Sequence, residues 1–129
     1  MVINITAGEC LNVILTRAYP SLKFIPFNEG MSLGSYGYPY FDDTFIKQRS
    51  DVHRVSVHDY IEHLKDFLSI LKDLDDINHW VLWFGDDDFC LKNVAFIKDL
   101  LTVLLHTVDE ITGVIKTTQM ISKSRNIEK

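Results

Sequence analysis

The sequence predicts a three-layer α/β domain, a small and mostly parallel sheet with helices on both faces. Three observations carry that expectation. Short apolar runs at 2–6, 22–26 and 80–84 have the length and β-branched or aromatic content of strands. Stretches with helical spacing of apolar residues alternate with them, as in parallel sheets built by helical crossovers. The run at 80–84, Trp-Val-Leu-Trp-Phe, is apolar at every position, the mark of a central strand buried on both faces.

Each element has its own signal. Val2-Ile3-Asn4-Ile5-Thr6 is short and β-branched, and Gly8 breaks it. Leu11, Val13, Ile14, Leu15 and Ala18 are spaced for a short helix against a sheet. Tyr19-Pro20 stops that helix, because the residue before proline disfavours helical backbone. Leu22-Lys23-Phe24-Ile25 resumes as a strand. From 27 to 41 the chain is rich in glycine, aromatics and proline, and Gly30, Gly34, Gly37 and Pro39 forbid a long regular element. A loop of this length is functional or mobile. Its tyrosines, Tyr36, Tyr38 and Tyr40, are suited to pack it down or to serve as a lid.

Asp42 or Asp43 is an N-cap for a helix over 44–52. Ser56, with Asp59 three positions on, starts a longer helix. Tyr60, Leu64, Phe67, Leu68 and Leu71 line one side of it, and Glu62, Lys65, Asp66 and Lys72 the other. Asp88 is the expected cap of a last helix over 91–105. The stretch 111–118 has strand propensity despite Gly113, and 122–129 is polar and expected to fray.

Right-handed crossovers then favour the strand order 2-1-3, with a possible fourth strand at an edge, a Rossmann-like arrangement. The chain reads as a single domain, 1–129, with its core in 2–105 and an edge strand and tail in 106–129. In such sheets ligands bind outside the carboxyl ends of the strands, at the switch point between the first and third strands.

Composition narrows the function. A chain of 129 residues with 47% hydrophobic content supports a real core and excludes general disorder. A net charge of -5 argues against a nucleic-acid partner, although Lys116, Lys123 and Arg125 form a local basic group. Two cysteines, Cys10 and Cys90, exclude a disulfide scaffold. No signal peptide is visible, and no apolar stretch reaches the ~20 residues of a membrane helix. A soluble cytoplasmic protein with no membrane partner is expected.

Three clusters follow the three strands: Ala7-Gly8-Glu9-Cys10, Phe27-Asn28-Glu29-Gly30 and Gly85-Asp86-Asp87-Asp88-Phe89. In a parallel sheet all emerge on one edge. Gly8 lets a ligand approach the backbone, and Glu9 complements the positive start of a helix. Asp87 with Glu9 or Glu29 is a carboxylate set suited to Mg2+, or to acid–base work. Arg49, on the helix after the long loop, pairs bidentately with a carboxylate or phosphate, and a salt bridge to Glu29 or Asp87 would hold the loop. Cys10 and Cys90 read as small buried hydrophobes, and the histidines form no zinc pattern.

These motifs resemble the bacterial family called domain of unknown function 1835 (DUF1835). Gly8-Glu9-Cys10 stands at its Gly-Asp-Ser motif, Glu29 and Gly34 at its acid-x-x-x-x-Gly-Pro motif, and Arg49 at its helical arginine. Leu82-Trp83-Phe84-Gly85-Asp86-Asp87-Asp88-Phe89 stands at its Leu-Trp-Phe-x-x-Asp-x-Phe segment. Glu9 replaces the family's aspartate, and Ser35 or Tyr36 lies near its proline. The resemblance spans 2–105 and implies a ligand-binding set of Gly8, Glu9, Cys10, Glu29, Gly34, Arg49, Asp86 and Asp87, but no reaction.

The functional expectation is a ligand-binding or interaction domain with an acidic cleft at the strand carboxyl ends, taking a small molecule or a partner protein. The alternative is a small enzyme acting on a phosphate-containing or nucleotide-like substrate with carboxylates and Mg2+. On either reading Glu9, Glu29, Arg49 and Asp87 should share one cleft.

Overall fold

A computed structural model of the chain describes residues 1–77, 79–104 and the backbone of 114–116. The elements are β1 (Val2–Thr6), α1 (Glu9–Ala18), β2 (Phe24–Pro26), α2 (Asp43–His53), α3 (Val57–Ile70), a 3-10 turn (Leu74–Asp76), β3 (His79–Trp83), α4 (Asp88–Leu104) and β4 (Val114–Lys116). The sheet order is β2-β1-β3-β4, and each pairing is parallel. The expected order of the first three strands therefore holds, and β4 forms the further edge beside β3. The arrangement is compatible with the Rossmann-like expectation. The tail at 122–129 lies outside the described residues.

Strand alternation sorts the sheet into two faces. Ile3 and Ile5 of β1, Ile25 of β2, and Trp80 and Leu82 of β3 belong to the main core. Phe45 of α2, Leu64 and Phe67 of α3, and Phe96, Ile97 and Leu100 of α4 complete it. A second, smaller cluster joins Trp83 and Phe24 to Leu15 of α1. Trp80 and Trp83, three residues apart, thus serve opposite faces, which is why 80–84 is apolar throughout. Buried Asn4 on the α1 side is satisfied: its Oδ1 accepts from Trp83 Nε1 at 3.0 Å, and its Nδ2 donates to the Lys23 carbonyl at 3.2 Å.

The helix starts follow from side-chain caps. Asp42 Oδ1 accepts from the Phe45 amide at 2.8 Å, and Ser56 Oγ from the Asp59 amide at 3.0 Å. The third cap lies one residue earlier than expected, and its helix three residues earlier. Asp87, not Asp88, receives the Cys90 amide on Oδ2 at 3.3 Å and the Leu91 amide on its carbonyl at 2.9 Å. The exposed Asp88 then falls in the first turn, where its charge complements the helix dipole. The second strand is shorter than expected, because the Leu22 amide is bonded to the Tyr19 carbonyl at 3.0 Å in a turn. Among the described residues no helix is long and apolar enough to cross a membrane.

The long loop is packed in place. Tyr36, Tyr40 and Phe41 lie against Phe45 and Phe96, and Tyr40 donates its hydroxyl proton to Asp99. At Gly34 the backbone has φ of +64°, and an added Cβ would lie 2.6 Å from Val52 Cγ2. Gly34→Ala is therefore expected to destabilise the domain by about 1–3 kcal/mol, from left-handed backbone and overpacking together. Urea denaturation of Gly34→Ala beside Gly34→Ala/Val52→Ala checks this. Removing the valine methyls should restore the overpacking part only. A single variant as stable as wild type would contradict the argument.

Candidate functional site

The chain leaves β2 at Pro26 and places Glu29 beneath α2 and α3. Glu29 and Arg49 both have fully buried side chains. Arg49 Nε donates to Glu29 Oε2 and Nη2 to Oε1, each at 2.9 Å, a bidentate pair. The remaining guanidinium protons go to the loop backbone: Nη2 to the Gly30 carbonyl at 2.9 Å, and Nη1 to those of Leu33 at 2.7 Å and Ser35 at 3.1 Å. Every N–H of the guanidinium is used, and the loop is tied to α2 through it.

Three more donors meet the same carboxylate. Tyr60 of α3 donates to Oε2 at 2.6 Å, the Gly30 amide to Oε1 at 2.7 Å, and His53 Nε2 lies 2.5 Å from Oε1. The His53 and Tyr60 rings stack. Burial by itself would raise the pKa of Glu29. The bonds from Arg49, Tyr60 and Gly30, with the Arg49 charge, outweigh it and hold the carboxyl down at about 2. Burial first, and then the Glu29 charge, pushes the Tyr60 phenol well above its ordinary value, so it stays a neutral donor. Asn93 of α4 fixes the backbone on either side of Gly30, accepting from the Met31 amide at 2.8 Å and donating to the Glu29 carbonyl at 2.9 Å.

In front of this network lies a cavity of about 390 Å³ at the carboxyl ends of β1 and β2. Ala7 and Gly8 enter it after β1, and Phe27, Asn28, Glu29 and Gly30 after β2. Leu33, Val55 and Phe89 add apolar wall, while His53, Tyr60, His63 and Asn93 add polar edges. At Gly30 the backbone comes close to Phe89: a Cβ there would lie 2.9 Å from the tip of that exposed ring, which would have to shift.

The structure thus joins two of the four residues expected to converge. Glu29 meets Arg49, but Glu9 and Asp87 do not line the cavity. Exposed Glu9 contacts Asn28 Nδ2 at 3.4 Å and lines a neighbouring groove with Pro26, His63 and Lys65. Asp87 is engaged as the α4 cap, and its pKa is lowered by hydrogen bonds from the Cys90 side chain and amide. Asp86 lies in the same turn, outside the lining. Gly8 lines the cavity, whereas Cys10 is exposed and Gly34 and Arg49 stand behind the wall. Cys10 and Cys90 are exposed and half-buried, not buried as expected. The cavity itself is not acidic. Its one lining carboxylate, Glu29, is matched by Arg49, and the walls are largely apolar.

The tyrosines of the loop do not line this cavity; Tyr40 borders a separate groove beside α3 and α4. Among the described residues no three His, Cys, Asp or Glu side chains are grouped to hold a metal ion. Sequence reasoning missed His53 and Asn93, and assigned Tyr60 to the core without a role for its hydroxyl. His53 did carry a signal: it lies four residues after Arg49, hence on the same helix face.

No protein-family model matches this chain, and no curated protein or solved structure does either.

Proposed function

We propose that this domain binds a small amphipathic molecule in the cavity at the carboxyl ends of β1 and β2. The observation behind this reading is a cavity of about 390 Å³ backed by a polar wall that is already satisfied. Among the described residues no buried side-chain nitrogen or oxygen lacks a partner. A ligand therefore meets a preorganised surface and does not have to order it. The volume sits toward the small end of ligand pockets, about 300–1,000 Å³. That favours a small molecule over a peptide or partner protein. The apolar part of the ligand fits Phe27, Leu33, Val55 and Phe89, and its polar end reaches Asn28 and His53.

Cys10 and Cys90 form no disulfide among the described residues, which suits a reducing, cytoplasmic setting. Membership of the domain of unknown function 1835 family belongs to the same proposal. The direct bond between Glu29 and Arg49, which stand at two of its motifs, supports it. Binding ranks ahead of catalysis because the cavity lining includes no serine, threonine or cysteine nucleophile among the described residues.

The test is a fragment titration of the labelled protein followed by amide NMR. Shifts should centre on Gly8, Asn28, Gly30 and Val55. Leu33 is half exposed, so Leu33→Trp should fill the cavity mouth, leave the melting temperature nearly unchanged and weaken the hits at least tenfold. Hits that cluster elsewhere, or that ignore Leu33→Trp, would sink the reading.

A further inference from the structure

We infer that the cavity selects ligands that offer hydrogen-bond donors, a hydroxyl or an ammonium group, read by His53 Nδ1 and Asn28 Oδ1. The inference rests on the binding role proposed above and names the ligand chemistry. Its first support is the tautomer of His53. Glu29 is ionised, so its oxygens only accept. The short contact from His53 Nε2 to Glu29 Oε1 therefore needs the proton on Nε2. A neutral imidazole with Nε2–H leaves Nδ1 as an acceptor. No hydrogen bond reaches Nδ1 among the described residues, and no buried side-chain nitrogen there lacks a partner. Nδ1 is thus on the accessible side of a ring that lines the cavity.

The second support is Asn28, and it is independent of the first. Its Nδ2 donates to two acceptors, the His63 carbonyl at 3.0 Å and Glu9 Oε2 at 3.4 Å. That pair of acceptors fixes the amide orientation. Asn28 Oδ1 has no protein donor among the described residues and faces the backbone at Gly8, 4.0 Å from where a Cβ would stand there. With the His53 ring neutral, both free polar atoms therefore accept.

The cationic side chains that could hold an anion are already committed. Arg49 spends every N–H on Glu29 and the loop carbonyls, and no lysine or arginine lines the cavity among the described residues. Glu9, bonded to Asn28, places a negative charge nearby. His63 is the remaining titratable group of the lining, and it is exposed.

The experiment uses the full chain and four probes: benzyl alcohol, benzylamine, benzoate and inorganic phosphate. Nitrogen NMR of the histidine rings at mildly alkaline pH should first show Nδ1 of His53 unprotonated; an Nδ1–H tautomer overturns the inference. Benzyl alcohol or benzylamine should then shift the His53 Nδ1 and Asn28 side-chain signals, the two arms separating neutral from charged donors. His53→Gln keeps a nitrogen donor near the Nε2 position and removes the Nδ1 acceptor. It should retain the melting temperature within a few degrees and weaken the alcohol or amine at least tenfold. Binding of benzoate or phosphate alone would overturn the inference and leave the cavity as a binding site. Silence of all four probes at Gly8, Asn28 and Val55 would overturn both.

Discussion

Arg49→Met is expected to destabilise the domain by about 3–5 kcal/mol, the usual effect of breaking one partner out of a buried ion pair. Total stabilities of small domains are only about 5–15 kcal/mol, so the variant should be largely unfolded under mild stress. The reason lies in what the guanidinium leaves behind. Without it Glu29 is an ionised group in a fully buried position, and the carbonyls of Gly30, Leu33 and Ser35 lose their donor. Lysine should rescue little, because a single ammonium cannot reproduce a bidentate, five-proton fork. Arg49→Met/Glu29→Gln should recover part of the loss, since no uncompensated charge remains. Urea denaturation followed by the fluorescence of Trp80 and Trp83 measures all three. A single-variant loss below about 1 kcal/mol, the scale of exposed pairs, would show that the network does not hold the fold together.

Acid should remove the same stabilisation. The Glu29 carboxyl titrates at about 2 in the folded chain against 4.5 ordinarily. The unfolded chain therefore takes up the proton first as pH falls. The stability Glu29 contributes is complete above 4.5 and disappears as pH drops through about 2. The shift corresponds to about 3 kcal/mol across that window. Denaturation midpoints measured every half pH unit should fall steeply there for the wild type. They should fall more gently for Glu29→Gln, which has no carboxyl to titrate. Carbon NMR of Glu29 supplies the direct check, and a titration midpoint near 4.5 would refute the assignment. On the alkaline side Tyr60 contributes with the opposite sense. Its raised pKa gives stability that is intact below 10.0 and lost as pH climbs beyond it.

The local parts of this structure were legible in the sequence because local forces make them. Strand period, helix spacing and caps act over two to four residues. Ser56 could therefore be placed as a cap, the cap before it narrowed to Asp42 or Asp43, and 80–84 read as a strand buried on two faces, from neighbours alone. The order of β1, β2 and β3 followed as well, since crossover handedness leaves few arrangements for alternating elements. The choice among the acids was decided only in three dimensions. Glu9, Glu29 and Asp87 are alike in kind, each just beyond a strand. Glu29 alone is stable inside, because α2 and α3 bring Arg49, His53 and Tyr60 to it from 20, 24 and 31 residues away. Asp87 stays outside because its oxygen is already committed to the start of α4. Burying a carboxylate requires several donors converging on two oxygens, and that convergence is a property of helix packing, not of sequence spacing.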